Sequence, residues 1–182
     1  MKAITIKQPW AFLIVHGIKD IENRTWACPE KYIGHRVLIH ASGKPVETRN
    51  PNSVFTKAQW DSLPVEFQRK IICAEGIVNS AIIGSVMITD CVVNHPSIWA
   101  EKGVYNWVLS NAVLFSEPIP ANGKLSFWDF DGLKEVTIEC PECGSHEIAI
   151  EDYTTVPYPT YLHSCNKCGY VIMESEWEVV ST

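Results

Sequence analysis

The chain has 182 residues, 46% of them hydrophobic and 20% charged, with a formal net charge of −6. That length suits one ordinary domain, or one domain with a small appendage, and excludes two large ones. The composition excludes broad disorder, and no apolar run reaches the roughly 18 residues of a membrane span, since Ala81 to Val93 is broken by Gly84, Ser85, Thr89 and Asp90.

Met1 to Lys7 alternates apolar and polar residues and predicts a half-buried strand. Pro9 suits the first turn of a short amphipathic helix in which Trp10, Leu13 and Ile14 recur at helical spacing, and Gly17 can close it in a left-handed conformation. Ile18 to Trp26 then predicts an extended segment that puts Glu22, Arg24 and Trp26 on one face. Arg36 to Ala41 reads as a buried strand whose end presents His40 and Ser42. Gly43 to Val54 is rich in Pro, Asn, Ser and Thr and predicts a surface loop. Thr56 to Gln59 has the spacing of a capping box, and Pro64 opens a further helix through Phe67, Ile71 and Ala74. Ala81 to Val93 and Val104 to Phe115 predict strands, and Pro118, Pro120, Asn122 and Gly123 a turn-rich connection.

The amino-terminal stretch lacks the apolar core of a secretion signal. Seven cysteines, an odd number that includes two Cys-x-x-Cys pairs, point to metal in a reducing compartment instead of disulfides. The expected location is therefore cytoplasmic, with no membrane partner.

Cys140-Pro141-Glu142-Cys143-Gly144 and Cys165-Asn166-Lys167-Cys168-Gly169 form the strongest chemical signal in the chain. Each knuckle brings two thiolates to one side of a tight turn that the following glycine permits, and four thiolates complete the closed tetrahedral shell that zinc prefers. The segment looks like a zinc ribbon whose metal is structural, because a closed shell leaves no position for substrate. A rubredoxin-type iron site, a redox disulfide pair and loss of metal altogether are the alternatives. His146 and His163 are expected to be solvated, and Cys28, Cys73 and Cys91 to be small buried hydrophobes. Strand-like alternation at 134–139 and 176–180 leaves open whether the ribbon is inserted or appended.

Charge is uneven, +5 over residues 1–73, −5 over 74–139 and −6 over 140–182. The first segment can supply a local anion-binding face, while the acidic ribbon suits stabilising the main domain or contacting a protein better than a phosphate backbone, with nucleic acid left open.

Lys7-Gln8-Pro9-Trp10-Ala11, the run from Gly17 to Trp26, and Leu38-Ile39-His40-Ala41-Ser42 together resemble the ASCH domain family, including its Gly-x-Lys-x-x-x-x-Arg motif at Gly17, Lys19 and Arg24. Gly84-Ser85-Val86, Trp107-Val108-Leu109, Pro118 to Gly123 and Phe127-Trp128 extend the likeness over roughly residues 1–133. The resemblance implies an α+β fold, a PUA-like mixed β-barrel with flanking helices, and a cleft lined by the motif that takes RNA or a nucleotide. The division expected is 1–139 for this domain, 140–172 for the ribbon and 173–182 for a terminal strand or tail.

The residue chemistry agrees with such a cleft. Lys7, Lys19 and Arg24 offer donors to phosphate, Trp10 and Trp26 offer stacking faces, and Glu22 an acceptor for a base amino group. Gln8, His40 and Ser42 complete the ligand-binding candidates. Plainer readings stand beside these: Trp10 in the core, Glu22 and Arg24 as a strand-surface ion pair, Lys19 as a solvated charge, His40 as a buried histidine.

Some members of the family are amidohydrolases of acylated cytidine that use a threonine nucleophile, an activating lysine and a glutamate. Glu22 stands at the threonine's place here, and a carboxylate is a poor substitute for a hydroxyl nucleophile. The leading expectation is therefore recognition of RNA, a modified base or a nucleotide, with DNA also open. The alternative is a hydrolase with Lys19 and Glu22 as its catalytic residues: either Glu22 acts as general base on water, or Lys19 and His40 cleave RNA through its 2′-hydroxyl. A zinc-ribbon protein adaptor is the third reading.

Overall fold

Alternation at the amino terminus gives β1 (Lys2–Ile6), with Ala3, Ile4 and Ile6 buried. It is followed by α1 (Trp10–Val15), β2 (Ile21–Arg24), β3 (His35–Ala41), α2 (Lys57–Ser62), α3 (Val65–Cys73), β4 (Ala81–Val93), β5 (Tyr105–Pro120) and β6 (Phe127–Asp129). These elements form the first of two units, Met1–Gly132; β7 (Ile148–Asp152), β8 (Tyr161–Cys165) and β9 (Val171–Ile172) belong to the second, Leu133–Thr182. The structure, a computed structural model, describes residues 1–44, 50–132, 138–152 and 161–173. Most of the strand expected at 134–139, the strand expected at 176–180, most of the 173–182 tail and the middle of the 43–54 loop lie outside the described residues. Among the described residues no helix is long and apolar enough to cross a membrane.

In the first unit the strand order is β2-β5-β4-β3-β1-β6. β1 and β3 run parallel with Ala3 opposite Leu38, and the other neighbours are antiparallel. The long β4–β5 pair shifts register between Ile82 and Gly84, Ser85 and Met87, and Ile88 and Asp90. Each shift adds local twist, so the sheet curls into a half-barrel of α+β class with β2 and β6 as its edges. β5 continues through Pro118 to Pro120, where the sequence predicts a turn. The outer side of β5 pairs with β2 only from Tyr105 to Val108, so these prolines forfeit no ladder hydrogen bond on that side.

α1 is more buried than its spacing predicts. Ala11, Ile14 and Val15 join Ile39, Val86 and Trp107, whereas Phe12 and Leu13 join Phe55, Leu63, Ile71 and Trp99. The helix is thus wedged between the sheet and the α2–α3 layer, and of its residues only Trp10 is partly exposed. Fully burying an Ile or Leu there stabilises by about 1.5–3 kcal/mol. Close approach depends on Gly84, where a Cβ would lie 2.2 Å from the Val113 carbonyl oxygen and 2.8 Å from Val15 Cγ1. α2 starts as predicted: Thr56 Oγ1 accepts from the Gln59 amide and Gln59 Oε1 from the Thr56 amide.

The second unit carries the antiparallel sheet β7-β8-β9, beside which Cys140, Cys165 and Ile172 are buried together. His146 is exposed, but His163 is buried, contrary to expectation, because β8 is flanked by β7 and β9 at that position. Cys73 is exposed in the last turn of α3, which also corrects the expectation. Cys28 and Cys91 pack together, with the Cys28 amide donating to Cys91 Sγ at 3.2 Å. Burial pushes the Cys28 thiol up to about 11, as suits an inert packing group.

Candidate functional site

The site begins where α1 ends. Gly17 has φ +70°, its amide donates to Ile14 O at 2.9 Å, and the Ile18 amide donates to Leu13 O at 3.0 Å. This paired closure reverses the chain and brings Lys19 back beneath α1, with Nζ 5.7 Å from the centroid of the Trp10 ring. Lys19 Nζ donates to the Ile21 carbonyl and lies 3.6 Å from Glu22 Oε2.

Period-two alternation in β2 places Glu22 and Arg24 on one face, as the sequence predicts. Arg24 Nε is 3.0 Å from Glu22 Oε1, its Nη2 donates to Thr5 O at 2.9 Å, and its guanidinium sits 5.9 Å from the Trp107 ring centroid. Glu22 is therefore held between two cations. Lys19 is only 4% exposed and Glu22 8%. Burial pushes the Lys19 ammonium below its ordinary value, and the Glu22 carboxylate opposes that shift.

One wall of the site is a loop held by amide side chains. Asn23 Nδ2 donates to Trp99 O at 2.8 Å, and its Oδ1 accepts from the Glu101 amide at 3.1 Å and from Asn106 Nδ2 at 2.9 Å. Gln59 Nε2 donates to Ile98 O at 2.8 Å, and Ser97 Oγ donates to Asp20 Oδ1 at 2.6 Å. Trp99 is fixed by these bonds and meets Trp10 edge-on at 6.2 Å, while Phe55 meets Trp10 at 4.9 Å.

Two cavities open here. One, of about 600 Å³, is bounded by Trp10, Phe55 and Trp99 together with Lys19, Glu22, Asn23 and Glu101. The other, of about 450 Å³, is bounded by Arg24, Ser42, Lys44 and Lys124. Lys7, Trp10 and Glu22 line both, so the two form one cleft with its charged floor in the middle.

Of the residues predicted from sequence, Lys7, Trp10, Lys19, Glu22, Arg24 and Ser42 are brought together at this cleft. Gln8, Trp26 and His40 border neither cavity. Gln8 is buried, with Nε2 donating to Val78 O at 2.7 Å and Oε1 accepting from the Phe12 amide at 2.9 Å, so both ends of its amide serve the backbone. Trp26 follows β2 and turns into the core, where it packs edge-on against Trp107 at 4.7 Å and its carbonyl accepts from Trp107 Nε1. His40 is 1% exposed, with Nε2 at 3.0 Å from Ala121 O and its ring edge-on to Trp128. His40 is thus a buried histidine whose Nδ1 has no hydrogen-bond partner among the described residues.

Sequence reading misses Asn23, Phe55, Trp99, Glu101, Lys44 and Lys124. Asn23 lies inside the recognised motif, but strand parity assigns it to the other face; the others sit on segments that only tertiary packing brings to the cleft.

In the second unit Cys140, Cys143, Cys165 and Cys168 converge, their Sγ atoms all within 4.8 Å of one another and two pairs at 3.6 Å. Four sulfurs about 2.3 Å from a central ion would stand about 3.8 Å apart, so the cluster fits a tetrahedral metal. The knuckles repeat one hydrogen-bond pattern: Gly144 N to Cys140 O and Gly169 N to Cys165 O are both 2.8 Å, with φ +68° and +75° at the two glycines.

The sequence matches the ASCH domain family over residues 4–119. Comparison with curated proteins yields no match.

Proposed function

We propose, since the chain belongs to the ASCH domain family, that its cleft binds RNA or a nucleotide as a recognition site. ASCH domains are associated with RNA binding. The observation that carries the reading is the buried Lys19–Glu22–Arg24 array, set where an aromatic wall meets a basic one. Trp10 offers stacking surface, Glu22 an acceptor for an exocyclic amino group, and Lys7 and Arg24 donors to phosphate. Ser42 adds a hydroxyl at the basic end.

Binding is favoured over hydrolysis by the same array. Each Glu22 oxygen already faces a cation, and Lys19 is engaged with Glu22 and the Ile21 carbonyl, so neither is left free to take a proton from water. A ribonuclease pair of Lys19 and His40 lacks its second member, because His40 is buried against Ala121 O outside the cleft. The four cysteines are read as a structural zinc site, closed to substrate. The assignment is a cytoplasmic RNA- or nucleotide-binding protein, with DNA a competing ligand and the acidic ribbon free to meet a protein.

Fluorescence anisotropy with a short single-stranded RNA tests this. Affinity should fall with salt, and the slope of log K against log salt should become shallower by about 0.7 for each phosphate that is no longer neutralised in Lys7→Ala and in Lys19→Ala with Arg24→Ala. Lys7 is exposed, which keeps one arm independent of folding. Wild-type affinity in all variants would exclude the cleft as the binding site.

A further inference from the structure

The two halves of the cleft differ in charge. The aromatic cavity is balanced, with Lys7 and Lys19 against Glu22 and Glu101. The second cavity gathers Lys7, Arg24, Lys44 and Lys124 against Glu22 alone. In a chain whose net charge is −6, four cations around about 450 Å³ make a local positive field that a neutral ligand would leave uncompensated. Ser42, Gly43, Gly123 and Ser126 stand among these cations, and small residues let an oxyanion approach the backbone closely.

The loop that carries Lys124 is fixed from below. A Cβ on Gly123 would lie 2.4 Å from His40 Cε1 and 2.9 Å from Thr5 Oγ1, so the backbone rests directly on the buried histidine. Thr5 Oγ1 donates to Lys124 O at 2.9 Å, and Ala121 O sits 3.0 Å from His40 Nε2. Lys124 Nζ is also over the Trp128 ring, 5.7 Å from its centroid. The sheet thus supports the segment from which this cation reaches the cleft.

We infer that the ligand is a phosphorylated nucleoside bound in one orientation, its base in the aromatic cavity and its phosphate in the basic one, where Lys44 and Lys124 join Lys7 and Arg24. This rests on the reading of the cleft as a nucleotide site and adds a single orientation of the ligand, with Lys44 and Lys124 as further contacts to its phosphate. The phosphate is the shared chemistry of a free nucleotide and of a strand.

Isothermal titration of the full chain with the four ribonucleosides, their 5′-monophosphates and a short single-stranded RNA separates the cases. At least one monophosphate or the RNA should bind about tenfold or more tightly than the corresponding nucleosides. Tighter binding of the monophosphate places a terminal phosphate in the basic half, and tighter binding of the RNA a phosphodiester. Lys44→Ala with Lys124→Ala, both at exposed positions, should bring the phosphate-to-nucleoside affinity ratio towards one, whereas Lys31→Ala, at an exposed position that lines neither cavity, should leave it unchanged. Nucleosides that bind as tightly as their phosphates, or a ratio unaffected by the double substitution, would overturn the orientation while leaving the cleft as a binding site. No binding of any nucleoside, nucleotide or strand would overturn the parent reading as well.

Discussion

Lys19 Nζ stands 3.6 Å from Glu22 Oε2 at the floor of the cleft, and both residues are more than nine-tenths buried. Burial is the largest influence on Lys19 and lowers its pKa; the Glu22 carboxylate raises it. In Glu22→Gln the opposing charge is gone, so the Lys19 midpoint should fall further. A ¹³C titration of the Lys19 side chain measures this, and an unchanged midpoint would mean the pair is not formed. The lowered pKa also sets how stability varies with pH. Below the lowered folded pKa the protein bears the full cost of a buried ammonium, and stability should rise with pH from that value towards the ordinary 10.5.

Asn23 connects the charged floor to the Trp99 wall. Asn23→Ala should release the backbone of Trp99 and Glu101 and leave buried Asn106 with one partner fewer, costing about 1–3 kcal/mol. Urea denaturation gives the stability. RNA affinity should drop with it, and wild-type values for both would show that the wall holds without Asn23.

Gly123 has no room for a side chain. Gly123→Ala should destabilise by about 1–3 kcal/mol through its clash with His40. Much of that loss should disappear when the same change is made in a His40→Ala background. Additive effects in thermal melts of the two singles and the double would contradict direct contact.

How much of this is legible in the sequence depends on distance along the chain. Lys19, Glu22 and Arg24 lie within one short run, and strand parity alone places the last two together. Trp99 and Lys124 come from remote loops, and Phe55 from the segment before α2, so no local period can mark them. His40 ends a buried strand, which says that it is inside but not which neighbour it meets. Trp26 shares parity with Arg24, but β2 stops at Arg24 and the chain turns before Trp26, so parity no longer applies. The knuckles are readable because four ligands at fixed spacing specify a local turn, whereas the burial of His163 follows from strand pairing that their spacing does not encode.

The cysteine cluster should bind one zinc per chain, measured by elemental analysis of purified protein. Cys140→Ser should lose it, and chelation should lower the stability of the second unit, since metal binding there is linked to folding. Protein that keeps its fold in full without metal would contradict a structural role.

The most direct measurement is native mass spectrometry of the full chain mixed with short RNA and DNA strands, nucleotides and acylated nucleosides. Recognition predicts a complex between the protein and an RNA strand or nucleotide whose mass is unchanged on release, and weakening of that complex by Lys7→Ala. Scission of the strand or loss of an acyl group would make the cleft an enzyme's, and the absence of any complex would contradict recognition altogether.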